Sequence, residues 1–497
     1  MSLSLKVMLN KEKTKVLFAE TSSDFINVLL SFLTLPLGKI VTILQKHKGS
    51  EEAAAIGSLT TLYKALSELD TAHFSVPGAK EMLLNPASSF RAECRKLALD
   101  VTDNAPLQYF LCENGYCSQP PYTNISMYPN IATCACGRSL NRGINFPQSR
   151  FNESGAFIIS PLLFIITDDL RVAPIVAGIV QTLSDFGITD TRGTEMKRLS
   201  LGPYEIRELL NLSLTSATPL TDMVMKNNKK YPQSEAWLDH IHQHDAATES
   251  KKIVVRAFLH KSTNKFLFAE ASDEFVELLW SFLTIPLGGV EFLFDSNTPF
   301  KNIDNLYRSM SNSIDDKHFT TSDIKNRLVN PKLAHGYLSK NQFLPLSEEG
   351  PPKLYYQVTE KGLWCDYSFH EEEGTMVSSF ESSKEVYIKK QTMCFVSDDL
   401  TMSPSLTSRI LVLNDVGIPL TDMKETEFHI GLNEALGILK ASLTSKTAFT
   451  DGLIKPLLKR QSKKERIGIL KASLASKTAL TDDLIKSMPM RQPKSEP

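Results

Sequence analysis

Cys112 and Cys117 stand in "CENGYC", and Cys134 and Cys136 follow in "CAC". Thiolate sulfurs bind Zn²⁺ at about 2.3 Å, so the sulfurs of one tetrahedral site lie roughly 4 Å apart. The separation is short enough for all four to meet. Gly115 can turn the first loop, and Gly137 follows the second pair. The spacing is not the usual two-residue knuckle. A Cys-x-Cys pair on a strand also puts both sulfurs on one side only if that strand stays regular. The competing reading is a set of independent reduced thiols. Seven cysteines, an odd number unevenly spread, do not suggest a disulfide framework.

A second constellation is Asp168-Asp169, repeated as Asp398-Asp399. Each pair follows an apolar run, so each falls at a strand's end. Two carboxylates there can hold Mg²⁺ through oxygen ligands, which would make them catalytic. The competing reading is a turn in which Asp bonds nearby backbone. His240, His242 and His244 lie in a polar stretch, where a solvated linker explains them. "SKTAFT" and "SKTALT" lack the Gly-rich lead and the Gly-Lys pair of a phosphate loop. The chain has no nucleophile elbow, zinc-protease helix or dinucleotide fingerprint.

The elements that must position these residues are written twice. "KVLFAETSSDFINVLLSFLTLPLG" (15–38) answers "KFLFAEASDEFVELLWSFLTIPLG" (265–288). "HFSVPGAKEMLLNP" answers "HFTTSDIKNRLVNP", "FIITDDLRVAP" answers "CFVSDDLTMSP", and "ELLNLSLTSATPLTDMVM" answers "GILKASLTSKTAFTDGLI". The order is the same in both halves, so this is a tandem duplication. "RIGILKASLASKTALTDDLI" is a partial third copy of the closing element alone. The expected division is a first unit at 1–225, a polar linker at 226–251, a second unit at 252–455, a partial helical repeat at 456–488 and a disordered tail at 489–497.

Each unit opens with two β-rich runs around a polar turn, a hairpin signature. Ser22 and Ser272, before acidic residues, then mark helix starts with capping hydroxyls. Phe25, Val28, Leu29, Phe32 and Leu33 form one apolar stripe, repeated at Phe275, Leu278, Leu279, Phe282 and Leu283. Pro36 and Pro286 stop these helices. "LTTLYKALSEL" predicts the second helix, and the Asn-Pro before "ASSFRAECRKLAL" introduces another. "LQYFLC" and "AFIISPLLFIIT" read as β. The predicted class is α+β, with helices packed on a mostly antiparallel sheet.

The apolar fraction of 42% and charged fraction of 22% are those of a globular chain. A formal charge of −1 gives no reason to expect nucleic acid as a partner. The run from Phe25 to Leu44 nears the length of a membrane span. Its second copy, however, carries Glu277 and Glu291, and a charge inside a span costs about 2.5 to 3.5 kcal/mol. No secretory signal is visible, and the expected setting is cytoplasmic.

"KVLFAETSSDFINVLLSFLTLPLGKI", "CACG", "LTDM" and "LKASLTSKTAFTD" resemble the plant family known as domain of unknown function 674. The resemblance covers nearly the whole chain in two copies. The first copy departs at its closing element and the second loses the cysteines, keeping only Cys365 in that region. The resemblance implies a plant source and an intracellular setting, and carries over no catalytic residue. The expected function is a non-catalytic binding or scaffold protein with an unidentified protein partner. The alternative is a metal-dependent enzyme using the aspartate pair.

Overall fold

The computed structural model describes residues 2–48, 56–99, 108–114, 124–134, 136–145, 155–176, 178–226, 252–338, 343–350, 387–390, 394–404 and 417–459. It also describes the backbone of short strands between 355 and 381, and a few single positions. Cys117, the three linker histidines, nearly all of the linker, residues 460–488 and the tail lie outside the described residues.

The first copy opens with β1 (Leu3–Leu9) and β2 (Val16–Ser22), the expected hairpin. At its turn the Asn10 side chain accepts from the amides of Thr14 and Lys15, at 2.8 and 2.9 Å. Helices α1 (Ser23–Leu33), α2 (Leu37–Lys48), α3 (Leu59–Glu68), α4 (Ala79–Leu84) and α5 (Arg91–Cys94) follow. Strands β3 (Gln108–Cys112), β4 (Asn124–Ser126) and β5 (Leu140–Asn145) come next. Then come β6 (Leu163–Thr167), β7 (Val172–Pro174), α6 (Ile179–Asp185), β8 (Glu195–Leu201), α7 (Pro203–Thr215) and α8 (Pro219–Met225).

The second copy repeats the plan. It has β9 (Ile253–His260), β10 (Phe266–Ala271), α9 (Asp273–Thr284), α10 (Leu287–Leu293), α11 (Lys301–Arg308) and α12 (Ser322–Val329). Short strands β11 (Tyr355–Thr359), β12 (Gly362–Asp366), β13 (Thr375–Met376) and β14 (Ser379–Glu381) precede β15 (Cys394–Val396), β16 (Met402–Ser403), β17 (Met423–Ile430) and α13 (Leu432–Ser442).

One sheet runs β7-β6-β2-β1-β8 and the other β16-β15-β10-β9-β17, antiparallel throughout. The two orders correspond strand for strand. The fold is α+β and the duplication is real. The register repeats as well. Lys6 faces Glu20 with their charges 2.6 Å apart, and Arg256 faces Glu270 at 2.9 Å.

The apolar stripes of α1 and α9 are buried as their spacing requires, each helix lying on its own sheet. Three local expectations change. Ser22 and Ser272 occupy the N-cap positions, but neither side chain makes a capping bond. Pro36 and Pro286 do end the first helices, yet α2 and α10 begin at the very next residue. Proline tolerates the entrance of a helix because its missing N–H would have no partner there. After Asn85-Pro86 the chain forms only the single turn of α5.

Beyond the prolines the two copies exchange helices. α2 and α3 pack against α9 of the second copy, and α10 and α11 pack against α1 of the first. The exchange is reciprocal in its polar contacts. Thr61 on α3 donates to the Asp399 carbonyl, and Asn305 on α11 donates to the Asp169 carbonyl at 2.9 Å. Ser58 donates to the Ser445 carbonyl at 2.6 Å, while Asn302 donates to those of Ser213 and Ser216 at 3.1 and 2.7 Å. One hydrophobic cluster runs through both copies.

The crossing point is the repeated phrase itself. Pro36 and Pro286 form an antiparallel bridge. The Leu37 amide donates to the Ile285 carbonyl at 2.9 Å, and the Leu287 amide to the Leu35 carbonyl at 2.8 Å. The glycine that ends each phrase allows this approach. A Cβ on Gly38 would stand 3.1 Å from the Leu283 carbonyl oxygen and 3.2 Å from Leu283 Cβ, and one on Gly288 would stand 3.0 Å from the Leu33 carbonyl oxygen. Gly38→Val is therefore expected to cost about 1–3 kcal/mol through overpacking. Urea unfolding checks this, and a loss below about 0.5 kcal/mol, the ordinary range for surface changes, would show the crossing to be loosely packed.

Among the described residues no helix is long and apolar enough to cross a membrane. Glu277 and Glu291 are both buried with polar partners: Glu277 accepts from the Tyr387 amide at 2.5 Å, and Glu291 contacts the Thr298 hydroxyl at 3.0 Å. That hydroxyl also lies 2.6 Å from Asp304. Burial and then the Asp304 charge push the Glu291 carboxyl well above its ordinary range.

Candidate metal centre and aspartate turns

Cys112 ends a strand of a small sheet ordered β14-β4-β3-β5. β14 comes from the second copy and runs parallel to β4. β3 pairs antiparallel with β5, with an irregularity between Leu111 and Cys112 at the strand's end. The Arg142 Nε fixes that end by donating to the Cys112 carbonyl at 3.1 Å.

Cys134 and Cys136 are in a turn, not on a strand. The Gly137 amide donates to the Cys134 carbonyl at 2.8 Å, and the Cys134 amide to the Arg138 carbonyl at 2.7 Å. Gly137 has φ +82°, a left-handed conformation that only glycine adopts without strain. This tight turn removes the difficulty of the Cys-x-Cys spacing, because the second cysteine folds back toward the first. The Sγ atoms of Cys112, Cys134 and Cys136 lie within 4.8 Å of one another, with Cys112 and Cys136 at 3.5 Å. Cys112 and Cys134 are buried beside Leu140, while Cys136 is exposed.

Three sulfurs at these separations match the corners of a tetrahedral thiolate site, and the cluster can hold a metal ion. The 3.5 Å gap is too long for a disulfide, whose sulfurs are about 2.05 Å apart. The structure thus brings together three of the four cysteines read from the sequence, and Cys117 is outside the described residues.

The aspartates belong to turns. In the first copy the Leu170 amide donates to the Thr167 carbonyl and the Thr167 amide to the Arg171 carbonyl, both at 3.0 Å. In the second, Leu400 to Ser397 and Ser397 to Thr401 repeat both bonds at 3.0 Å. Leu170 and Leu400 are left-handed, at φ +60° and +62°. Such a conformation costs a non-glycine residue roughly 1–2 kcal/mol. Both leucines are fully buried, which offsets that strain.

Asp168 and Asp398 reach across to the closing element. Asp168 accepts from the Thr221 amide at 2.9 Å and its hydroxyl at 2.6 Å. Asp398 accepts from the Thr450 amide at 2.8 Å and its hydroxyl at 2.6 Å. Burial pushes both carboxyls up from the ordinary range, against these hydrogen bonds. Asp169 and Asp399 accept within their own turns, from Thr167 at 2.5 Å and from the Thr401 amide at 3.1 Å. The two copies therefore share one geometry, in which an aspartate pins a hairpin turn to the start of a closing helix.

The threonines escaped the sequence reading, although their signal was present. "LTD" and "FTD" stand at matching positions in the two closing elements. Asp398→Ala leaves the half-buried amide and hydroxyl of Thr450 without their acceptor, so a loss of about 1–3 kcal/mol is expected. Asp168→Ala should cost a similar amount. Urea unfolding decides between the roles, because a variant more stable than the parent would indicate a residue kept for function at the expense of stability.

Among the described residues the three cysteines form the only cluster of metal-ligating side chains that converges, and neither aspartate pair belongs to such a cluster. No curated protein and no solved structure matches the chain. The sequence profile of the family described as "Protein of unknown function (DUF674)" matches residues 1–372 and again 363–467. The two matches together span most of the sequence, so the chain belongs to the DUF674 family.

Proposed function

We propose that this chain is a non-catalytic binding or scaffold protein whose first repeat is tied together by Zn²⁺. Cys112, Cys134 and Cys136 would hold the ion as thiolates. The observation that carries the reading is the convergence of their three sulfurs within 4.8 Å. Bound there, zinc would supply a cross-link between the end of β3 and the Cys134–Gly137 turn. The reducing, cytoplasmic setting expected from the cysteine usage keeps thiols available for this role.

The alternative, a metal-dependent enzyme built on the aspartate pair, has less support. The carboxylate oxygens of Asp168 and Asp398 are engaged by threonine donors. Elemental analysis of the purified chain tests the proposal. About one zinc per chain is expected for a single structural site. A chain purified without chelators that carries no stoichiometric metal, and takes up none on adding Zn²⁺, would refute it.

A further inference from the structure

A cavity of about 240 Å³ lies beside the crossing point, between Leu35-Pro36 and the sheet that carries the cysteines. Its walls include Leu35, Pro36, Met82, Phe110 and Met127, with Tyr128 at the side. Against these apolar surfaces stand two cations, Arg91 and Lys39, and one carboxylate, Glu81, which is exposed. Arg91 is half-buried, and among the described residues it has no carboxylate partner. Its charge acts on the buried hydroxyls of Tyr128 and Tyr337. Lys39 donates to the Asn85 side chain at 2.8 Å.

A partly desolvated guanidinium without a counter-charge is costly, and its planar fork matches a carboxylate or a phosphate. The duplication adds an internal comparison. Residues that the shared architecture needs recur in both copies. Aligned on the repeated phrases, Lys39 corresponds to Gly289 and Arg91 to Gly336. The shared fold therefore does not require these two cations, and they are particular to the first copy.

We propose that this cavity binds a small organic anion, its carboxylate or phosphate paired with Arg91 and its apolar body lying against Met82, Phe110 and Met127. Lys39 would hold the anion at the rim. The volume falls below the range of about 300–1,000 Å³ typical of drug-sized ligands, so the occupant has a single ring or a short chain. The inference is independent of zinc, because none of the cysteines of the metal cluster lines the cavity.

Isothermal titration of the full chain with benzoate, phenyl phosphate and neutral benzamide tests it. One of the two anions should bind saturably, at least about tenfold more tightly than benzamide, the size of one charge-assisted hydrogen bond. The better anion identifies the head group. Arg91→Gln should weaken that anion by at least about tenfold, Arg91→Lys should restore part of the loss, and Lys39→Gln should have a smaller effect. Met127→Trp fills part of the apolar lining and should abolish binding with Arg91 intact, which keeps the test decisive if Arg91→Gln folds poorly. Equal affinity for benzoate and benzamide, wild-type affinity in a folded Arg91→Gln, or no saturable binding of either anion would each overturn the proposal.

Discussion

Replacing Trp280 with alanine is expected to cost about 3–5 kcal/mol, the range for deleting a large buried aromatic, and to weaken both repeats at once. Trp280 is fully buried, and its indole stacks on Phe74 of the first copy with ring centres 5.2 Å apart and planes 13° from parallel. The cavity would open inside the cluster that both copies share. Its effect should therefore appear as one unfolding transition shifted as a whole. Calorimetry together with near-ultraviolet circular dichroism checks this. A second repeat that melts early while the first keeps its parental midpoint would show the halves to be thermodynamically separate. Among the described residues the indole Nε1 has no hydrogen-bond partner, so Trp280→Phe loses no polar contact, leaves a smaller cavity and should cost less than the alanine change.

If Cys112, Cys134 and Cys136 hold a metal as proposed, its removal should produce the other large change. A ligand present at a thousand times its dissociation constant stabilises the folded state by about 4 kcal/mol. A strong chelator should lower stability by an amount of that order, and Cys134→Ser should reproduce the loss without chelator. The damage should be local at first. Hydrogen exchange is expected to rise in the hairpin at 130–139, while β1 and β9 stay protected. The pH dependence has a definite sign: thiols must lose their protons to bind metal as thiolates, so acidification would release the ion and remove its contribution. Stability that ignores chelator and the Cys134→Ser change alike would leave the sulfur cluster as three neighbouring thiols.

Much of the architecture could be read directly because it is local. The hairpins, the stripes of α1 and α9 and their proline stops are patterns of period two or 3.6, visible within a dozen residues. The aspartate turns were readable for the same reason. β8 and β17 were not. Both are edge strands whose exposed positions carry charge, including Glu195, Lys197 and Arg198 in one and Lys424, Glu425 and Glu427 in the other. Charge protects a sheet edge from further pairing, and the same charge hides the alternation that marks a strand. α2 has no separate start signal, because the proline that ends α1 is also the entrance to the next helix. The exchange of helices was beyond reach altogether. Nothing in Gly38 or Gly288 says which backbone each will meet, because that partner lies about 250 residues away.

The reciprocal packing of α3 and α11 gives this single chain the arrangement of a swapped dimer joined covalently. Two separate chains in this arrangement would have to find each other, and their stability would rise and fall with concentration. Joined in one polypeptide, each copy meets the other at an effective concentration set by the connection and independent of protein concentration. Refolding after dilution should then be unimolecular, with a rate that does not change over a hundredfold range of protein concentration. A relative that carried only one repeat would lack this provision. It would need a second chain to supply the helices that cover its aspartate turn, and it could exchange partners with any other chain built on the same repeat.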